Sequence, residues 1–81
     1  MTKDEIFNLV KKNILEVLPD IDESIIVPEK HLRDLGANSV DRMEIITMTM
    51  EDLNINIPLL EFGKVKNMDE LCSVLLNEKV K

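Results

Sequence analysis

The chain has 81 residues, 44% of them apolar, and sixteen acidic residues against ten basic ones give it a net charge of −6. This length predicts one small domain over residues 1–81, and the apolar share is too high for a disordered acidic tail. The charge argues against nucleic acid and membranes as partners, because both present negative surfaces, and it favours protein partners with basic patches.

The single cysteine, Cys72, cannot form an internal disulfide, which fits a reducing compartment. The first residues are charged and lack the apolar segment of a secretory signal, and no apolar run approaches membrane-spanning length. We therefore expect a cytoplasmic protein that acts as a monomer.

The first predicted helix covers residues 3–18. Thr2-x-x-Glu5 has the form of a capping box, and Pro19 ends the pattern because proline lacks a backbone N–H and clashes with the preceding turn. Between these signals, apolar residues recur at helical spacing, at Ile6, Val10, Ile14 and Val17.

A long connection follows over residues 19–38, which contain two prolines and a glycine. Connections of this length are uncommon unless they are functional or held against the core. Six apolar residues are expected to hold it: Ile21, Ile25, Ile26, Val27, Leu32 and Leu35. The turn formers at its end predict a helix start with Asn38 or Ser39 as N-cap.

The second predicted helix, residues 39–53, has two unlike faces. One face is suited to the core and contains Ile45, Ile46, Thr49 and Leu53. The other mixes apolar and acidic residues where a surface helix is normally polar, and contains Val40, Met43, Glu44, Thr47 and Glu51.

Two helices complete the chain. Pro58 suits the first turn of a short helix over residues 59–63, which Gly63 is expected to end. Asn67-x-x-Glu70 predicts the cap of a last helix, whose apolar residues are Met68, Leu71, Cys72, Leu75 and Leu76. The expected fold is all-α, a small bundle of three main helices and one short helix with a long loop between the first two.

Catalytic and metal chemistry find little support in the residues. The segment around Ser39 is not G-x-S-x-G, and the one histidine, His31, is interpreted as a partly exposed loop residue. A calcium loop starting at Asp20 fails, because Ile25 stands where glycine is needed. Cys72 lies on an apolar helical face, which favours a buried core thiol over a zinc ligand.

Ser39 itself has two interpretations. It can be a simple N-cap, which is a common place for serine. Alternatively, since a helix N-terminus favours anions, a phosphodiester attached to Ser39 would be well placed there. The mixed face beside it is either a docking surface for a basic partner or a surface that the long loop covers.

The stretch from Leu35 to Glu44 resembles the signature of acyl carrier proteins: Leu-Gly-x-Asp-Ser-Leu, then an acidic residue and a glutamate in the same helix. The link from Ile55 to Pro58, Ile-Asn-Ile-Pro, and the overall length and charge extend the likeness to the whole chain. The resemblance implies that a phosphopantetheinyl transferase attaches 4′-phosphopantetheine from coenzyme A to Ser39.

On the same resemblance, the arm's thiol holds an acyl group as a thioester, and the bond chemistry belongs to partner enzymes rather than to this chain. The docking residues are then Val40, Asp41, Met43, Glu44, Thr47 and Glu51. The expected enzymes are a ketosynthase, a decarboxylase or HMG-synthase-like enzyme, and an acyltransferase.

Two departures refine the subtype. Asn38 stands where the family usually has aspartate, and Val40 replaces the usual leucine. The Gly-Ala-Asn-Ser-x-Asp-Arg pattern resembles discrete carriers of polyketide pathways that install β-branches. Acceptor carriers there often have a tryptophan in the helix after the serine, and this chain has none, so the acetyl-donor role fits better.

Two alternatives stay open at this point. One is a carrier of fatty-acid synthesis. The other is an acidic helical interaction domain without a prosthetic group, in which Ser39 is only a cap.

Overall fold

The computed structural model describes residues 1–81 and contains helices but no β-strand. The three α-helices are α1 (Lys3–Val17), α2 (Ser39–Leu53) and α3 (Met68–Lys79). Three 3₁₀ helices lie in the connections, at Glu23–Ile25, Leu32–Leu35 and Leu59–Lys64. The predicted all-α bundle with a long loop between its first two main helices is confirmed.

Helix ends follow the capping signals closely. Thr2 and Glu5 form a reciprocal capping box at the start of α1. The N–H of Glu5 donates to the Thr2 hydroxyl at an N···O distance of 3.2 Å, and the N–H of Thr2 donates to the Glu5 carboxylate at 2.8 Å. The helix ends at Val17, one residue before the predicted end and two residues before Pro19. Asn67 caps α3 by accepting from the N–H of Glu70 at 2.9 Å.

Sixteen apolar residues form one continuous core, in which α1 packs against both α2 and α3. The predicted core face of α2 is confirmed, since Ile45, Thr49 and Leu53 are at most 1% exposed and Ile46 is also buried. No helix combines the length and the apolar character needed to cross a membrane.

The long connection is held against the bundle by side chains and by its backbone. Ile26, Leu32 and Leu35 are buried, and Ile21, Ile25 and Val27 are half-buried, as predicted. In addition, the N–H groups of Met68 and Asp69 donate to the carbonyls of Lys30 and Pro28 at 2.8 Å and 2.9 Å. The loop therefore also caps the first turn of α3.

The short third helix is a 3₁₀ helix, Leu59–Lys64, and the prediction that Gly63 ends it is wrong. The helix continues through Gly63 because the i to i+3 pattern persists, with the N–H of Val65 donating to the carbonyl of Phe62. Gly63 also lacks the positive φ that a helix-ending glycine uses. Phe62 is buried and fastens this segment to the core.

One polar contact crosses the core between α1 and α2. The Asn13 amide donates to the Thr49 hydroxyl at 2.9 Å and to the Asp52 carboxylate at 3.1 Å. Asn13 and Thr49 are 1% and 0% exposed, so neither has water as an alternative partner. Because the Thr49 hydroxyl donates in turn to the carbonyl of Ile45, the network ties the register of α1 to the backbone of α2.

We expect Asn13→Leu and Thr49→Val each to lower the free energy of unfolding by about 1–3 kcal/mol, since each removes one partner of a buried hydrogen bond. The double variant should lose less free energy of unfolding than the sum of the two single losses. With both partners removed, no buried amide is left without the hydroxyl that it donates to. Urea unfolding of all four proteins measures this coupling. Additivity within about 0.5 kcal/mol would show that the contact does not act as a unit.

Candidate functional site

Ser39 lies at a tight turn that leads into α2. The second 3₁₀ helix ends at Gly36, whose φ of 87° lies in the left-handed region that favours glycine. Ala37 then turns inward and is 3% exposed, whereas Asn38 and Ser39 are exposed. The small buried side chain of Ala37 thus holds the turn against the core, and the next two residues are presented to solvent.

Asn38, and not Ser39, caps α2. The side-chain oxygen of Asn38 accepts from the N–H of Asp41 at 2.8 Å, and the Asp41 carboxylate accepts from the N–H of Asn38 at 3.2 Å. This reciprocal box uses Asn38 in the position where the carrier signature has aspartate. The interpretation of Ser39 as a simple N-cap is therefore wrong.

The Ser39 hydroxyl differs from the other two serine hydroxyls of the chain. Ser24 donates its hydroxyl to the Asp22 carboxylate at 2.8 Å, and Ser73 donates to the carbonyl of Asp69 at 3.1 Å. The one contact of the Ser39 hydroxyl is as acceptor, from an Nη of Arg42 at 3.4 Å. Its proton and much of its surface remain free for reaction.

The N-terminal turn of α2 favours negative charge at this position. The first N–H groups of a helix have no intrahelical acceptor, and the helix dipole adds partial positive charge at the same end. Arg42 adds a full positive charge one turn from Ser39. An anionic group bonded to the Ser39 oxygen would lie in a favourable field.

Arg42 was not indicated as a site residue by the sequence patterns. Its Nη1 donates to the carbonyl of Ala37 at 2.8 Å, which brings its Nη2 to the Ser39 hydroxyl. The i, i+3 spacing of Ser39 and Arg42 on one helix is the only sequence feature that indicates their proximity. The position of the guanidinium depends on the Ala37 carbonyl, which the turn at Gly36 orients.

The mixed face of α2 is open to solvent. Val40 and Met43 are 69% and 51% exposed, large values for apolar residues. Glu44, Thr47 and Glu51 are also exposed, and Asp41 is half-buried because its carboxylate is used in the capping box. The long loop does not cover this face, so that alternative is wrong.

A small apolar cavity of about 60 Å³ lies between α2, the third 3₁₀ helix and the start of α3. Its apolar lining consists of Leu32, Ile46, Phe62, Val65, Met68 and Leu71. Three polar residues border it, His31, Arg42 and Asn67. The Nδ1 of His31 accepts from the N–H of Arg33 at 2.9 Å and thereby caps the second 3₁₀ helix, so this histidine has a structural role.

Cys72, as predicted, is a buried core thiol at 1% exposure. Burial raises its pKa from an ordinary value near 9.0 to about 11, and the nearby Asp69 carboxylate adds to the rise. At neutral pH the thiol is protonated and faces the core, and it is a poor nucleophile in the folded protein.

Comparison with known proteins gives a consistent result. A family model described as "Phosphopantetheine attachment site" matches residues 8–75. The polyketide biosynthesis acyl-carrier-protein AcpK of Bacillus subtilis (strain 168) is 50% identical over 78 residues, 96% of this chain and 95% of that protein. The acyl carrier protein of Cyanidium caldarium is 30% identical over 78 residues, covering 96% of this chain and 91% of that protein.

Among solved structures, a chain from the crystal structure of the curacin biosynthetic pathway HMG synthase in complex with acetyl donor-ACP superimposes with a TM-score of 0.83. The two sequences are 40% identical, and the match covers 93% of this chain and 96% of that one.

We expect Cys72 to resist alkylation in the folded protein. Its pKa of about 11 leaves little reactive thiolate at pH 8, and the sulfur is buried. Iodoacetamide at pH 8 should leave the native mass unchanged, whereas the same treatment in denaturing urea should add one label. Free glutathione in the same tube is the control for reagent activity. Native labelling at a rate near that of glutathione would contradict the burial of the thiol.

Proposed function

This chain belongs to the acyl carrier proteins, the family with a covalently attached 4′-phosphopantetheine, and we propose that Ser39 is its attachment residue. The observation that carries the proposal is the free hydroxyl of Ser39 beside a helix N-terminus whose cap is supplied by Asn38. Neither Ser24 nor Ser73 has both a free hydroxyl proton and a place at the start of an α-helix.

Attachment is a phosphoryl transfer to the Ser39 oxygen. That oxygen bonds to the phosphorus next to pantetheine in coenzyme A, the pyrophosphate P–O bond breaks, and adenosine 3′,5′-bisphosphate leaves. The hydroxyl proton goes to a base of the phosphopantetheinyl transferase, since no base of this chain contacts Ser39. When bound, the arm supplies a terminal thiol that holds an acyl group as a thioester.

The pathway proposed is polyketide biosynthesis, with this chain as acetyl donor to an HMG-synthase-like enzyme. The support is the 50% identity to a carrier of polyketide biosynthesis and the 40% identity to a chain from a synthase complex with an acetyl donor carrier. The match covers 96% of a chain about as long as this one, so it is to the carrier and not to a complete synthase. A role in fatty-acid synthesis has weaker support, because neither of these two matches is described as a carrier of fatty-acid synthesis.

The size of the cavity agrees with a short cargo. An engineered apolar cavity of about 150 Å³ holds benzene in another protein, whereas the cavity beside Arg42 measures about 60 Å³. It accommodates a few heavy atoms without rearrangement. A long acyl chain held in this cavity would have to push α2 and the third 3₁₀ helix apart, whereas an acetyl group would not.

The exposed face of α2 is the proposed docking surface for the transferase and for the other partner enzymes, among them a ketosynthase, a decarboxylase and an acyltransferase. Val40 and Met43 supply apolar contact, and Glu44 and Glu51 supply negative charge for a basic partner. We expect both contributions to be small, because a carrier must leave each enzyme after its reaction.

We expect incubation with coenzyme A and a broad-specificity phosphopantetheinyl transferase to add one phosphopantetheinyl mass to the wild-type protein and none to Ser39→Ala. Ser24→Ala and Ser73→Ala are matched controls, because each removes an exposed serine hydroxyl outside the proposed site, and both should load fully. Intact-protein mass spectrometry measures all four. Loading of folded Ser39→Ala, or loss of loading in a control, would overturn the assignment of the site.

We expect Glu44→Lys to raise the KM of the transferase for this carrier several-fold at low salt, because it reverses one charge of the docking surface. The increase should shrink above about 0.3 M salt, where exposed charges are screened. Glu16→Lys makes the same charge change at an exposed position of α1 and should leave KM near the wild-type value. An equal effect of the two variants, or one that salt does not reduce, would count against docking through α2.

A further inference from the structure

We propose that Arg42 binds the phosphodiester that joins the arm to Ser39, and that it thereby sets the direction in which the arm leaves α2. The proposal rests on the proposed function, since it takes Ser39 as the attachment residue. It assigns Arg42 as a positioning residue for the cofactor.

The geometry places a guanidinium nitrogen of Arg42 beside the Ser39 oxygen. The guanidinium is held in place by the hydrogen bond from Nη1 to the Ala37 carbonyl at 2.8 Å, and its Nη2 lies 3.4 Å from the Ser39 oxygen. A distance of 3.4 Å makes this second contact weak. A phosphorus bonded to the same Ser39 oxygen brings anionic oxygens within reach of Nη2, and these are much stronger acceptors than a neutral hydroxyl.

The guanidinium of Arg42 has no carboxylate partner. Arg42 is the one basic residue of α2, which also contains four acidic residues. The ion pairs of the structure involve other residues, and none is formed by Arg42. The nearest acidic neighbour in sequence, Asp41, has its carboxylate committed to the N–H of Asn38. The positive charge is therefore available to a ligand that is not part of the apo chain.

The position of the Arg42 side chain also favours binding of an anion. Arg42 is half-buried, and its side chain borders the small apolar cavity. Partial burial weakens screening by solvent, and the fixed Nη1 contact reduces the entropy lost on binding an anion. An arm whose phosphodiester is held by Arg42 begins at the rim of this cavity.

The test uses wild-type protein loaded with the arm and verified by mass. The chain has two arginines, Arg33 and Arg42, so its ¹H–¹⁵N spectrum contains two Nε–Hε signals. Arg33 is exposed and serves as the internal control. We expect loading to shift the Arg42 signal and slow its hydrogen exchange about two- to fivefold, with the Arg33 signal unchanged.

Two variants complete the test through the ³¹P signal of the loaded arm. Arg42→Gln should shift this signal and increase the mobility of the phosphodiester. Arg42→Lys should bring the signal part of the way back to its wild-type position, because lysine keeps the charge without the planar fork. Arg33→Gln should leave the ³¹P signal at its wild-type position.

The outcomes separate the two proposals. A chain that fails to load at Ser39 would contradict the proposed function. A fully loaded wild-type protein whose Arg42 signal and exchange equal those of the apo protein would overturn the role of Arg42 and leave the proposed function standing. The wild-type comparison needs no substitution, so a variant that folds poorly does not weaken it.

Discussion

The reciprocal capping box between Asn38 and Asp41 is the contact on which the other features of the site depend. It satisfies two backbone N–H groups at the start of α2 without using Ser39, so the serine hydroxyl stays free. It also engages the Asp41 carboxylate, the acidic group next to Arg42 in sequence. One local interaction thus defines where α2 begins, leaves a reactive oxygen exposed, and leaves a cation beside it without an ion-pair partner.

The same helix packs against the core on one side and presents apolar residues to solvent on the other. Ile45, Thr49 and Leu53 are buried, while Val40 and Met43 on the other side are exposed. Apolar residues on both sides weaken the preference of a helix for one orientation. The Asn13 amide counteracts this, because both of its acceptors, Thr49 and Asp52, lie on the side of α2 that faces α1. This buried polar contact favours the orientation in which Val40 and Met43 face solvent, a specificity role that such contacts have in other helical bundles.

Much of the fold could be predicted because its signals are local. Periodicity and capping place α2 at residues 39–53, as observed, and the cap at Asn67 places α3. The features that were missed are long-range. Asn13 and Thr49 lie 36 positions apart, and the N–H of Met68 donates to Lys30 across the bundle. No pattern within one element reports such pairs, and the role of Arg42 likewise depends on a carbonyl oriented by the preceding turn.

The proposed attachment residue and the proposed docking surface lie on one helix, which has a mechanical consequence. With a rise of about 1.5 Å per residue, Glu44 lies about 7.5 Å along the axis from Ser39. An enzyme that contacts Val40, Met43 and Glu44 therefore holds the root of the arm within about one and a half turns of these contacts. Docking then needs little affinity to be effective, because it only has to fix the starting point of a tethered thioester, whose effective concentration at the active site follows from arm length. If Arg42 also fixes the initial direction of the arm, the thioester searches a smaller volume. A weak contact between the carrier and each enzyme is then sufficient to deliver the thioester to the active site.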